Sequence, residues 1–163
     1  MKVTFVIPRD NDSHSPLSQF SQCKILPPVG LARMAGMVGK KAYVSVIDER
    51  IDDKYHKGDS QVAVIFINSY NRQRAYDVAK YYRKCGSTVV FTGPLLNNAL
   101  EDAGKYADSL FMGDGGENMP EFIHDFNHGN LKRFYRHDVD KKQNAHYTNN
   151  VAAFPGKSLG LAS

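Results

Sequence analysis

The chain has no tryptophan, two cysteines in 163 residues, and no apolar run near the roughly 20 residues that span a bilayer. Cys23 and Cys85 are too few for a disulfide framework or a zinc knuckle. They are also too few for an iron–sulfur cluster, which takes at least three thiolates. No G-x-x-x-x-G-K-[ST] occurs, so a phosphate-binding loop of that class is excluded. The apolar N-terminus, residues 1–8, is too short for a signal peptide and no small-residue cleavage site follows it, so a cytoplasmic location is the expectation. The net charge of +4 is mild, and the basic cluster Lys132, Arg133, Arg136, Lys141 and Lys142 has no interleaved aromatic platform beside it. Neither a nucleic acid nor a membrane is expected as a partner.

Against these absences stands a regular alternation. Residues 2–7 are β-branched and aromatic, as in a strand buried on both faces. Residues 8–28 form a long loop rich in Pro, Ser, Asp and Asn, and residues 29–38 follow as a helix whose stripe is Leu31, Met34, Ala35 and Val38. Strands are predicted at 42–47 and 62–67, joined by a polar connector with room for one helical turn at most. Ala75, Val78, Ala79 and Tyr82 stripe the next helix, and a fourth strand spans 88–91. Leu96, Ala99, Leu100 and Ala103 stripe a third helix, and a fifth strand spans 108–112. Met119, Phe122, Ile123 and Phe126 mark the last helix, and residues 132–136 are a candidate sixth strand at an edge.

Four one-sided helices alternating with short apolar strands describe an α/β, Rossmann-like (flavodoxin-like) three-layer sandwich with a mostly parallel five-stranded sheet, or six with the edge strand. Its crossovers are expected to be right-handed. Residues 1–136 make the domain, and 137–163 read as a tail or linker without period.

In such a sheet ligands sit beyond the carboxyl ends of the strands. That rule selects residues 8–28, 68–71, Gly93-Pro94, and the run Gly113-Asp114-Gly115-Gly116-Glu117. Three glycines in four positions exceed the need of a single turn. The run is not G-x-G-x-x-G and follows the fifth strand rather than the first. Asn68-Ser69 ends strand three where a receiver domain needs a phosphoacceptor Asp, so that class falls too.

The ordered set Pro27-Pro28-Val29-Gly30, a second strand closing on Asp48, Gly93-Pro94, and Gly113-x-Gly115-x-Glu117 resembles the N-terminal domain of cobalamin-dependent radical S-adenosylmethionine enzymes. The resemblance covers roughly residues 1–136. The family's turns are P-P-x-G, G-G-P-H and G-E-G-E. Here Thr92 precedes Gly93, Leu95 stands for the His, and Asp114 replaces the first Glu. The resemblance implies cobalamin held by Ser69, Tyr70, Gly93, Pro94, Gly113, Gly115 and Glu117. With no C-x-x-x-C-x-x-C, it also implies that a radical S-adenosylmethionine catalytic domain, in cis or in trans, does the chemistry. The alternative is a relative that has lost the cofactor and serves protein interaction or substrate presentation.

Three polar groups remain. Asp12-Ser13-His14 resembles the start of the D-x-H-x-x-G of other cobalamin domains, with His14 as lower ligand to the cobalt metal. Leu17 occupies the glycine position, and a solvent-exposed loop histidine is the competing reading. His124 and His128 lie four apart without a third ligand and read as surface residues opposite the Phe122/Phe126 stripe. Asp48, Glu49, Asp52 and Asp53 form an acidic knot, read as a solvated loop with ribose binding as the alternative.

Overall fold

A computed structural model describes residues 1–10, 29–38, 42–51, 56–97, 99–113 and 115–136. The 8–28 loop beyond residue 10, with Asp12, His14 and Cys23, lies outside the described residues, as do Asp52, Asp53, Asp114 and the 137–163 tail.

The strands are β1 (Lys2–Ile7), β2 (Tyr43–Asp48), β3 (Val62–Phe66), β4 (Thr88–Thr92), β5 (Ser109–Met112) and β6 (Phe134–Arg136). All pair in parallel, in the order β2-β1-β3-β4-β5-β6. This is the flavodoxin-like order with the sixth strand added at the β5 edge, and the order reverses between β1 and β3. The described helices are α1 (Val29–Met37), α2 (Arg72–Lys84), α3 (Leu100–Gly104) and α4 (Met119–Asn127). Among the described residues no helix is long and apolar enough to cross a membrane.

Strand residues alternate between two cores, which makes three layers. Val6, Ala63, Ile65, Val89, Phe91 and Leu110 pack beneath α2 and α3; Val3, Phe5, Val62, Val64, Val90 and Phe111 pack beneath α1 and α4. The helical stripes land where the periodicity puts them: Leu31, Met34, Ala75, Val78, Ala79, Tyr82, Met119 and Phe122 are all buried.

Two expectations need correction. The stripe at 96–103 is not one helix. It divides into a 3-10 turn, Pro94–Asn97, and the short α3, because the chain must turn immediately after Gly93 and again near residue 99.

The crossovers also differ in hand. α2 and α3 lie on one face as the chain steps from β3 to β5, whereas α1 lies on the other face as the chain steps the opposite way, which is the same hand. The β5–α4–β6 connection continues in the β3-to-β5 direction but with its helix on the α1 face, so its hand is opposite. The local packing accounts for this exception. On leaving β5 the chain packs Gly115 and Gly116 against Met34 and Arg33 of α1, which commits α4 to that face. There Phe111, Phe122 and Tyr135 form an edge-to-face triangle with centroids 5.3, 5.4 and 5.5 Å apart, fixing β6 beside β5.

Candidate functional site at the carboxyl edge of the sheet

The predicted site residues lie in three turns at the carboxyl ends of neighbouring strands. Ser69 and Tyr70 follow β3, Gly93 and Pro94 follow β4, and Gly113, Gly115 and Glu117 follow β5. The fold thus carries all of them to one edge of the sheet. Their surroundings differ, and the difference separates residues that build the edge from residues that face outwards.

Gly93 builds it. At φ +132° it holds a conformation that favours glycine, and a Cβ there would stand 2.2 Å from the Ile67 carbonyl oxygen. The turn after β4 is therefore pressed directly on the end of β3. Gly115 has φ +73° and is buried, with its Cβ position 2.7 Å from Thr92 Oγ1 and 2.9 Å from Met34 Sδ. Gly113 is unlike both. It is exposed with φ +79°, and no atom lies within 4 Å of its Cβ position. Of these three glycines, Gly113 is the one whose backbone a ligand can approach.

Glu117 is engaged within the chain: Arg33 Nη2 of α1 donates to its Oε1 at 2.8 Å, across Gly116. Ser69, Tyr70 and Pro94 are exposed. Five large hydrophobic side chains are notably exposed, and three of them, Val29 (82%), Ile51 (64%) and Tyr70 (74%), follow β1, β2 and β3 respectively. Uncovered apolar surface is thus concentrated at the carboxyl end of the β2–β1–β3 half of the sheet.

Asn71, which the sequence placed only as the last residue of the 68–71 loop, ties the reversal point together. It is 1% exposed, and its Nδ2 donates to Phe66 O at 3.2 Å and to Pro8 O at 3.4 Å, joining the ends of β3 and β1. Its Oδ1 accepts from Asn68 N at 2.8 Å, while Asn68 Oδ1 accepts from Asn71 N at 2.9 Å and Tyr70 N at 2.8 Å. The reciprocal pair closes the turn ahead of α2, since Asn side chains readily bond backbone N–H groups a few residues away. Asn71→Ala should cost about 2–3 kcal/mol, read as a lower urea midpoint at unchanged slope, because it strands buried backbone groups. Asn118 does the same for β5 and β6: its buried Nδ2 donates to Met112 O at 3.2 Å and Tyr135 O at 3.0 Å.

The acidic knot is not a solvated loop where the structure describes it. Glu49 is 8% exposed. Its carboxylate accepts from Arg74 Nε at 2.9 Å and Nη2 at 2.7 Å, lies 2.6 Å from His56 Nε2, and accepts from Arg9 N at 3.2 Å. Burial alone would raise its pKa; the bonds from His56 and Arg74, with the Arg9 amide, overcome that and hold it at about 2. Asp48 is taken up by Arg50 in a two-pronged pair at 2.9 and 2.7 Å. Neither acid is left to hold a ribose.

His124 and His128 are exposed, with rings stacked at 4.3 Å. No group of three or more metal-ligating side chains occurs among the described residues.

A parallel sheet of this order, with glycine turns and exposed apolar side chains at its carboxyl edge, is a Rossmann-like α/β domain, a class of fold whose ligands sit at that edge. The chain is similar to the bacteriochlorophyllide d C-8(2)-methyltransferase of Chlorobaculum tepidum, with 27% identity over 116 residues, 71% of this chain and 26% of that protein. It thus spans about a quarter of the length of that relative. No family model and no solved structure matches the chain.

Proposed function

We propose that this chain is a cobalamin-binding domain of, or related to, a radical S-adenosylmethionine enzyme, whose catalytic part lies in cis or in trans. The observation that carries the reading is the character of the carboxyl edge. An open Gly113 backbone and the exposed Tyr70, Val29 and Ile51 offer a corrin a partly apolar surface with backbone partners for its amide side chains. Similarity to a methyltransferase supports it, because bound cobalamin supplies a carrier for a methyl group. Within this reading Ser69, Tyr70, Pro94 and Gly113 meet the cofactor, while Gly93 and Gly115 shape the turns beneath it.

The cofactor-free alternative, a protein-interaction or substrate-presentation domain, has its own support. Arg33 already engages Glu117, and two of the three site glycines are accounted for by packing alone.

The test is retention of hydroxocobalamin by the purified chain after gel filtration, read from the visible corrin bands. Retention is expected, and Tyr70→Ala should weaken it about tenfold by removing a large exposed aromatic contact. A spectrum with no corrin bands would favour the alternative. Where binding occurs, His14→Ala leaving the bands unchanged excludes His14 as lower ligand to the metal.

A further inference from the structure

The two edges of the sheet are unlike. β6 is three residues long, contains Arg136 and follows directly on Lys132-Arg133, features that discourage pairing with another strand. β2 is six residues long, Tyr-Val-Ser-Val-Ile-Asp, with no charge before Asp48. Tyr43 N donates to Met1 O and Glu49 N to Ile7 O, both at 2.9 Å. By the period of two, the odd-numbered residues of β2 bond to β1, and the N–H and C=O of Val44 and Val46 point away from the sheet. Among the described residues no strand pairs with that outer side. Tyr43 on one face and Val46 on the other are 68% and 50% exposed.

We propose that β2 is a self-association edge through which two copies of the chain pair antiparallel, about a twofold axis at Ser45. The pattern of β2 itself names the occupant. A twofold perpendicular to the sheet keeps each face on its own side, so only residues of like parity stand opposite one another. Centred on Ser45, the register sets Val44 opposite Val46 as a hydrogen-bonded pair on one face and Tyr43 opposite Ile47 on the other. Both exposed apolar side chains then gain apolar partners, and no like charges meet. The neighbouring registers place Val44 opposite Asp48, or Ile47 opposite Lys41. Pairing one strand is a small interface against the roughly 1,200–2,000 Å² of stable complexes, so the dimer is weak and forms with rising concentration.

Sedimentation of the full chain should resolve a monomer–dimer equilibrium, and Val46→Lys should weaken it roughly tenfold or more at unchanged circular dichroism. The register is read by crosslinking with Cys23 and Cys85 replaced by serine. At the axis the two Ser45 residues form a non-hydrogen-bonded pair with Cα atoms about 4.5 Å apart, within disulfide reach. Under a mild oxidant Ser45→Cys should give a disulfide-linked dimer severalfold faster than Val44→Cys, which faces Val46. A monomer at every concentration, an equilibrium indifferent to Val46→Lys, or equal crosslinking at 44 and 45 would overturn the proposal. If Val46→Lys disturbs the fold, the crosslinking comparison decides alone.

Discussion

Glu49→Ala is expected to cost about 3–5 kcal/mol of folding stability, the range found when one partner of a buried ion pair is removed. The Glu49 side chain is 5% exposed and is the shared acceptor for Arg74, His56 and the Arg9 amide. Its loss leaves Arg74 without its carboxylate partner and His56 without the group at its Nε2. As a control, Asp77→Ala, which removes an exposed i, i+3 pair with Lys80, should stay within about 0.5 kcal/mol.

The same carboxylate sets an acid limb. Its folded pKa, about 2, lies below the ordinary value of 4.5 for a glutamate, so its stabilisation is complete above 4.5 and is lost as pH falls towards 2. The difference corresponds to roughly 3 kcal/mol. Urea unfolding at a series of pH values should show the wild-type chain losing that amount over this window, and Glu49→Gln lacking that part of the slope. An unchanged slope in Glu49→Gln would mean that other carboxylates carry the acid sensitivity.

Gly93→Ala is the second large effect expected, about 3 kcal/mol or more. The new Cβ would sit 2.2 Å from the Ile67 carbonyl oxygen, a backbone atom that cannot swing aside, and φ +132° adds strain of its own. Gly113→Ala makes the comparison. It meets nothing within 4 Å, so it carries only the cost of φ +79°, about 1 kcal/mol. Equal losses at both positions, measured by urea midpoint, would refute the distinction between a glycine that packs and a glycine that opens outwards. In hydroxocobalamin retention the order should reverse: Gly113→Ala keeps its fold and loses affinity.

Much of the architecture was legible before any coordinates. The i, i+3, i+4 stripes at Leu31, Ala75 and Met119 survive as buried faces because a helix that packs on a sheet must bury one side, whatever surrounds it. The 96–103 stripe misled, since a period of three to four is shared by a 3-10 turn followed by a short helix. The hand of the last crossover was not legible at all. Sequence carries no mark of which face a helix will choose, and the general rule pointed the other way.

The carboxyl-edge turns divide along the same line. Their positions followed from the sequence alone, because glycines and prolines after apolar strands mark where a parallel sheet turns. The role of each glycine did not follow: Gly93, Gly115 and Gly113 look alike in sequence, and only the neighbours that folding brings up distinguish them. Likewise the acidic character of residues 48–53 was plain, yet the burial of Glu49 depends on Arg74, twenty-five residues onward, and on His56. Local pattern determined the elements and the edge at which the glycine turns gather. Long-range contact alone decided which of its residues pack inward and which remain for a partner, since a side chain's environment is made by segments distant in the chain.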